Sequence, residues 1–178
     1  MFPRFTLIET DRFLIRRLVV SDVSETYLSW LNNSTSARWI LSADKVWDLA
    51  DLRQYVEKKS NNPNALFLGI FDKLSGAHIG NIKYEPIVKE ISASVMGVFI
   101  GDQSYRGRGV FMEIYASTAT WLKINLRVKQ IFLGVDGENK SAVSAYLKAG
   151  FVPVNVPERY RQILGNVSMV HRIDSGAR

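Results

Sequence analysis

After Ile100 the chain reads Gly101-Asp102-Gln103-Ser104-Tyr105-Arg106-Gly107-Arg108-Gly109-Val110, with two glycines alternating with two arginines ahead of a helix-forming run. The chemistry such a stretch can do is anion binding. The first amides of a helix have no intrahelical acceptor, and the aligned peptide dipoles add positive potential there. Gly107 and Gly109 allow unusual dihedrals and a close backbone approach to a ligand. Arg106 and Arg108 add charge, and a pyrophosphate suits this set. The pattern G-x-x-x-x-G-K-[ST] is absent, and so is the third glycine of a dinucleotide fingerprint. Taken alone, the turn equally suits a plain strand-to-helix connection.

Other chemistry is narrowed by composition. There is no cysteine, which excludes a thiol nucleophile, a disulfide scaffold and a thiolate metal site. His78 and His171 lie far apart with no ligand spacing, so no metal is expected and each reads as a surface or packing residue. The net charge of +6 comes from scattered residues rather than a basic block. That favours a phosphate-bearing small molecule over nucleic acid.

These groups must be positioned by a fold. A chain of 178 residues suits one domain, taken here as 1–178. Phe13 to Val19 reads as a strand, and Asp22 caps a helix to about Leu31. Asn32 to Ser36 is a polar break. A second helix spans Trp47 to Ser60, with Leu49, Leu52, Tyr55 and Val56 at helical spacing. Leu66–Phe71, Ala77–Tyr84 and Ala93–Ile100 read as strands. The helix after the glycine turn runs to about Leu122. Gln130–Val135 is a strand and 139–149 a helix, with Gly150 placed for a left-handed cap. Phe151–Val154 and Val167–Ile173 read as late strands, which completes a mixed α/β domain. No apolar run approaches the roughly 20 residues of a membrane span. No signal-peptide core follows the N-terminus, so a cytoplasmic protein is expected.

A second motif starts thirty positions after Gly109: Asn139-Lys140-Ser141-Ala142-Val143-Ser144-Ala145-Tyr146-Leu147-Lys148-Ala149-Gly150-Phe151. In this order and at this distance, the two motifs resemble the GNAT superfamily of N-acetyltransferases. Its cofactor loop is Q/R-x-x-G-x-G/A and its later motif N-x-x-A/S-x-x-x-Y-x-K-x-G-F. Thr10-Asp11-Arg12-Phe13-Leu14-Ile15-Arg16 and Tyr27-Leu28-Ser29-Trp30-Leu31-Asn32-Asn33 are similar to the opening of the branch containing ribosomal-protein N-terminal acetyltransferases.

The resemblance implies a mixed, mostly antiparallel sheet with helices on both faces. A splayed parallel pair, Ala93–Ile100 and Gln130–Val135, would hold acetyl-CoA. It implies that the backbone of Phe99 and Ile100 pairs with the pantetheine arm. The amides from Arg106 through Gly107, Arg108 and Gly109 to Val110 would hold the pyrophosphate. Asn139 would bond the arm or nearby backbone, and Tyr146, beside the thioester sulfur, would be the general acid. Many relatives carry a glutamate where this chain has Val95, which leaves the base open. Neither Glu85 nor Glu113 is an evident substitute, and Ser104 stands where the family often has Gln or Arg.

The acceptor would be a primary amine, selected by the first helices and nearby loops. Trp30, Arg38, Trp39 and Tyr84 are the candidate contacts. Ile79 to Ile87 and Ile100 to Tyr105 are similar to stretches in acetyltransferases of nucleotide-linked amino sugars, and a protein N-terminal amine or a small amine competes. A monomer or homodimer is expected. The alternative is a module that binds acyl-CoA without turnover.

Overall fold

The computed structural model describes residues 6–33, 45–155 and 167–173. In chain order the elements are β1 (Leu7–Glu9), β2 (Phe13–Arg17), α1 (Glu25–Asn33), α2 (Leu49–Ser60), β3 (Leu66–Asp72), β4 (His78–Val88) and β5 (Ala93–Ile100). They continue with α3 (Val110–Leu126), β6 (Gln130–Val135), α4 (Lys140–Lys148), β7 (Val152–Pro153) and β8 (Val167–Arg172). The strands form one sheet in the order β1-β2-β3-β4-β5-β6-β8-β7. It is mixed and mostly antiparallel, with β5 and β6 the parallel pair.

The pairing of β5 with β6 is short. Its ladder has three steps, Ala93 with Gln130, Ser94 with Ile131 and Val95 with Phe132. The ladder ends there, although β5 runs on to Ile100 and β6 to Val135. The start is set by Ser92, left-handed at φ 51°, whose carbonyl accepts from the amides of Lys129 (2.7 Å) and Gln130 (3.2 Å). On its other edge β6 pairs with β8 through six residues, from Gln130 with Arg172 to Val135 with Val167.

The chain folds as two compact units. One holds the described residues up to Lys83 together with Val98–Val110, and the other holds Tyr84–Gly97 and the described residues from Phe111. In the first, β3 is buried on both faces, because Leu66, Leu68 and Ile70 alternate with Phe67 and Phe71 and all are buried. Phe67 and Phe71 pack with Leu18, Tyr27, Trp30, Trp47, Leu52 and Val56, which seats α1 and α2 on the sheet. His78 belongs to this core. Its ring stacks on Phe71 (4.9 Å) and lies 5.1 Å from Trp30 and 5.3 Å from Tyr27. Nε2 faces two acceptors, the Gly80 carbonyl (3.0 Å) and Asn81 Oδ1 (2.9 Å), so it carries the ring proton. Burial lowers the pKa of this imidazole. His78 is a neutral packing residue.

The second unit is built on α3, whose Ile114, Tyr115, Thr118, Ala119 and Leu122 share a buried face. Ile131, Leu133, Phe151, Met169 and Val170 are buried with them.

Several boundaries differ from the sequence reading. Asp22 does not cap α1. It closes a 3-10 turn (Val20–Asp22) and takes a two-pronged bond from Arg16 (2.8 and 2.7 Å), while Ser24 Oγ accepts from the Tyr27 amide at the head of the helix. Helix α1 continues through Asn33, into the first two residues of the expected break, whose remaining residues lie outside those described. Helix α2 starts after Asp48, whose side chain accepts from the Asp51 amide. Strand β4 extends to Val88, and α3 continues to Leu126, where Arg127 takes the left-handed conformation at φ 55°.

Candidate functional site

Asp102 shapes the approach to the glycine turn. Its Oδ1 accepts from the Ser104 amide (2.8 Å) and hydroxyl (2.7 Å), which closes a 3-10 turn over Gln103–Tyr105. The Arg106 amide then donates to the Gln103 carbonyl (3.1 Å). Arg106 is thus already bonded, and the cradle narrows to the residues after it. Gly107 (φ 71°) and Gly109 (φ 72°) both occupy the left-handed region, which bulky residues avoid. The amides of Gly107, Arg108 and Gly109 make no hydrogen bond within the described residues. Three unpaired donors at the head of α3 are a set that an anion can use.

The two arginines of the turn have different work. The Arg106 guanidinium folds back on the end of β5, with Nε donating to the Ile100 carbonyl (2.9 Å) and Nη2 to that of Gly101 (3.0 Å). Arg108 is exposed, and its guanidinium has no partner among the described residues. Arg108→Ala is therefore expected to raise the KM for a polyphosphate ligand about three- to tenfold, and the effect should shrink as salt rises to about 0.5 M. Arg106→Ala should instead lower the melting temperature. Titration of both variants at low and high salt, with a thermal melt, checks this. The idea fails if the two variants behave alike.

On β5 the peptide groups alternate in direction. The Gly101 amide donates to the Ile79 carbonyl (3.0 Å), and a Cβ added at Gly80 would sit on the Phe99 carbonyl oxygen. The backbone groups of Phe99 therefore turn toward β4, and by alternation those of Val98 and Ile100 turn away from it. Phe99 and Ile100 do not present one shared edge, and the Ile100 carbonyl already accepts from Arg106. Of the two, Ile100 is left with its amide.

In the second unit Tyr146 lies on α4, held by ring contacts. Phe111 meets it edge-on at 5.1 Å, and Phe151 lies 5.9 Å away. Its hydroxyl has no partner among the described residues. Burial pushes this phenol up to about 12, so at neutral pH it is a protonated donor. Asn139 is the N-cap of α4, with Oδ1 accepting from the Ala142 amide (3.2 Å) and the Ser141 hydroxyl (3.1 Å). Of its two expected roles, the structure displays the bond to local backbone. Gly150 (φ 91°) ends the helix as expected.

Sequence reading missed the support behind Tyr146. Tyr115 stacks on Phe111 (5.4 Å), and its hydroxyl is hydrogen-bonded to His171 Nδ1 (2.6 Å). Burial raises the Tyr115 phenol and lowers the His171 imidazole, so both rings of this pair are held neutral. Phe151 touches Tyr115, Tyr146 and His171, which closes a group of five rings. The i, i+4 aromatic pair Phe111 and Tyr115 was the available signal. The His171 partner is 56 residues away and left none.

At position 95 there is no carboxylate, because Val95 sits in the ladder opposite Phe132. Beside it, the Ser94 hydroxyl donates to the Pro86 carbonyl (3.1 Å). Among the expected acceptor contacts, Tyr84 is 0% exposed and its hydroxyl is bonded to Thr118 Oγ1 (2.7 Å). It is a core residue, and burial raises its pKa. Trp30 is 7% exposed and packs against Gly101, where a Cβ would overlap the indole. It too serves the core. Arg38 and Trp39 lie outside the described residues. Among the described residues, no group of three His, Asp or Glu suited to a metal occurs, and no helix is long and apolar enough to cross a membrane.

Residues 12–152 match the sequence profile of a family described as acetyltransferase (GNAT) domain. A comparison with curated protein sequences found no match. Among solved structures, the chain is similar to RimL, a ribosomal L7/L12 alpha-N-protein acetyltransferase in complex with coenzyme A. The TM-score is 0.81 at 14% identity, over 96% of this chain and 100% of that one. It is similar to the microcin C7 self-immunity acetyltransferase MccE in complex with acetyl-CoA and AMP, with TM-score 0.77 and 17% identity over 92% and 93% of the two chains. It also resembles the ribosomal-protein-S5-alanine acetyltransferase from Vibrio fischeri, with TM-score 0.75 and 17% identity over 96% and 98%. At these identities the likeness is one of fold.

Proposed function

The chain belongs to the acetyltransferase (GNAT) domain family, and from that premise we propose that it transfers the acetyl group of acetyl-CoA to the N-terminal amine of a protein. The observation that carries turnover, rather than binding alone, is the Tyr146 hydroxyl, which is protonated and bonded to no residue described. A phenol so placed is available to a leaving group.

The reaction is direct. The neutral amine attacks the thioester carbonyl, the N–C bond forms, the C–S bond breaks, and the thiolate leaves with a proton from Tyr146. The unpaired amides of Gly107, Arg108 and Gly109 hold the pyrophosphate, and Arg108 adds charge. With valine at 95, the proton of the attacking amine leaves to water. Bulk solvent then reprotonates the phenolate, and the cycle balances.

Three considerations support a protein amine as acceptor. The opening motifs resemble the ribosomal-protein branch, and two of the similar structures acetylate ribosomal proteins. The stretches that suggested a nucleotide-linked amino sugar also lose weight. Ile79, Gly80, Asn81, Ile82, Tyr84 and Ile87 are buried, and Ile100 to Tyr105 lead into the glycine turn, so packing accounts for the buried positions without an acceptor.

The test is thiol release from acetyl-CoA with four acceptor classes: peptides with a free N-terminus, the same peptides blocked there, amino-sugar nucleotides and polyamines. Release with the free peptides alone is expected. Release with the sugar nucleotides alone would replace the acceptor. Calorimetric binding of acetyl-CoA without release from any acceptor would establish the non-catalytic module.

A further inference from the structure

The glycine turn is tied to a distant part of the chain. Arg12 Nη2 donates to the Arg108 carbonyl (3.1 Å) across 96 positions of sequence. Arg12 is itself fixed: its carbonyl accepts from the Lys73 amide (2.9 Å), and its guanidinium lies 4.9 Å from the Phe13 ring. The Phe13 ring meets Tyr105 edge-on at 6.2 Å. All these residues belong to the first unit.

Planarity of the peptide bond gives the contact its consequence. The carbonyl of Arg108 and the amide of Gly109 share one trans peptide unit, so they point in opposite directions. A donor that holds the carbonyl also aims the N–H the other way. This peptide is among the easiest in the turn to flip, because Gly109 tolerates either sign of φ. Without a restraint, both orientations are open, and only one offers the Gly109 amide to an anion.

We propose that Arg12 is a positioning residue that locks the Arg108–Gly109 peptide so that the Gly109 amide faces the cofactor's pyrophosphate. This rests on the reading of the turn as an acetyl-CoA site. The side chain acts through the Arg108 carbonyl, and it sets affinity for the phosphate end without touching the acyl group. A flipped, non-binding state that becomes populated lowers apparent affinity by the fraction it occupies.

Calorimetry with coenzyme A tests it on the wild type, Arg12→Ala, Arg12→Lys and Tyr105→Phe. Arg12→Ala is expected to weaken binding about tenfold, which is about 1.4 kcal/mol. Arg12→Lys, which keeps one donor for the carbonyl, should recover most of that loss. Tyr105→Phe keeps the ring that meets Phe13 and, as the control, should bind as the wild type does. The KM for acetyl-pantetheine, which lacks the pyrophosphate, should be the same in all four proteins, as should kcat at saturating acetyl-CoA. Unchanged affinity in Arg12→Ala overturns the proposal. So does an equal loss on acetyl-pantetheine, which marks general damage, and so does a lysine variant no better than alanine. If Arg12→Ala does not fold, Arg12→Gln takes its place with the same ligands, and unchanged affinity there overturns the proposal. No binding by the wild type would remove the cofactor reading together with this proposal, whereas tight wild-type binding with unaltered variants removes the proposal alone.

Discussion

Tyr146→Phe is expected to lower kcat by about one to three orders of magnitude, a barrier rise of roughly 1.4 to 4 kcal/mol, with little change in affinity for acetyl-CoA. The substitution removes one oxygen and leaves the ring. Phe111 at 5.1 Å and Phe151 at 5.9 Å keep their partner. Because the hydroxyl bonds to no described residue, its loss strands no donor or acceptor, and the melting temperature should hold. In the proposed mechanism, what is lost is the proton that the departing thiolate needs. The pH profile adds a second readout. A phenol raised to about 12 stays protonated through the working range, so kcat should not fall on the alkaline side below about pH 10. Stopped-flow thiol release with calorimetry on both proteins checks these points. Unchanged kcat removes Tyr146 from the acid role, and a raised Kd with unchanged kcat makes it a binding residue.

What the sequence disclosed follows from how local each cause is. The strands Ala93–Ile100 and Gln130–Val135 were found with correct bounds, because apolar runs end at turn-forming residues on either side. The caps Asn139 and Gly150 were legible for the same reason, since each acts within its own helix turn. Asp22 was misjudged because its partner Arg16 lies on a neighbouring strand, and a two-pronged ion pair outcompeted a cap. β1 is three residues long, too short for a periodic signal. Tyr84 was hidden by its strand: β4 buries Gly80 and Asn81 as well as Ile79 and Ile82, so alternation does not separate a core face from an open one. At the site, the glycines and Tyr146 were visible as motif. The division of labour between Arg106 and Arg108 was not, because it depends on which guanidinium folds back on Ile100 and Gly101.

Gly107→Val and Gly109→Val are each expected to weaken acetyl-CoA binding by about thirtyfold or more, and two causes must be separated. The first is strain. At φ 71° and 72° a β-branched residue costs roughly 1–3 kcal/mol, which the turn could relieve by leaving the left-handed region and misaiming its amides. The second is obstruction. A Cβ added at either position meets no protein atom within 4 Å, so it projects into open space beside unpaired amides. An oxygen accepting from such an amide sits roughly 3 Å from its nitrogen, within reach of a side chain built on the same residue. Gly107→Asn distinguishes the two, because asparagine tolerates the left-handed region while still carrying a Cβ. If strain dominates, Asn binds nearly as glycine does and only Val fails. If obstruction dominates, Asn fails about as badly as Val but melts closer to the wild type. The second outcome is expected, since three unpaired amides leave an anion little room to shift away from a new side chain. Wild-type affinity in both valine variants would take the pyrophosphate away from this turn.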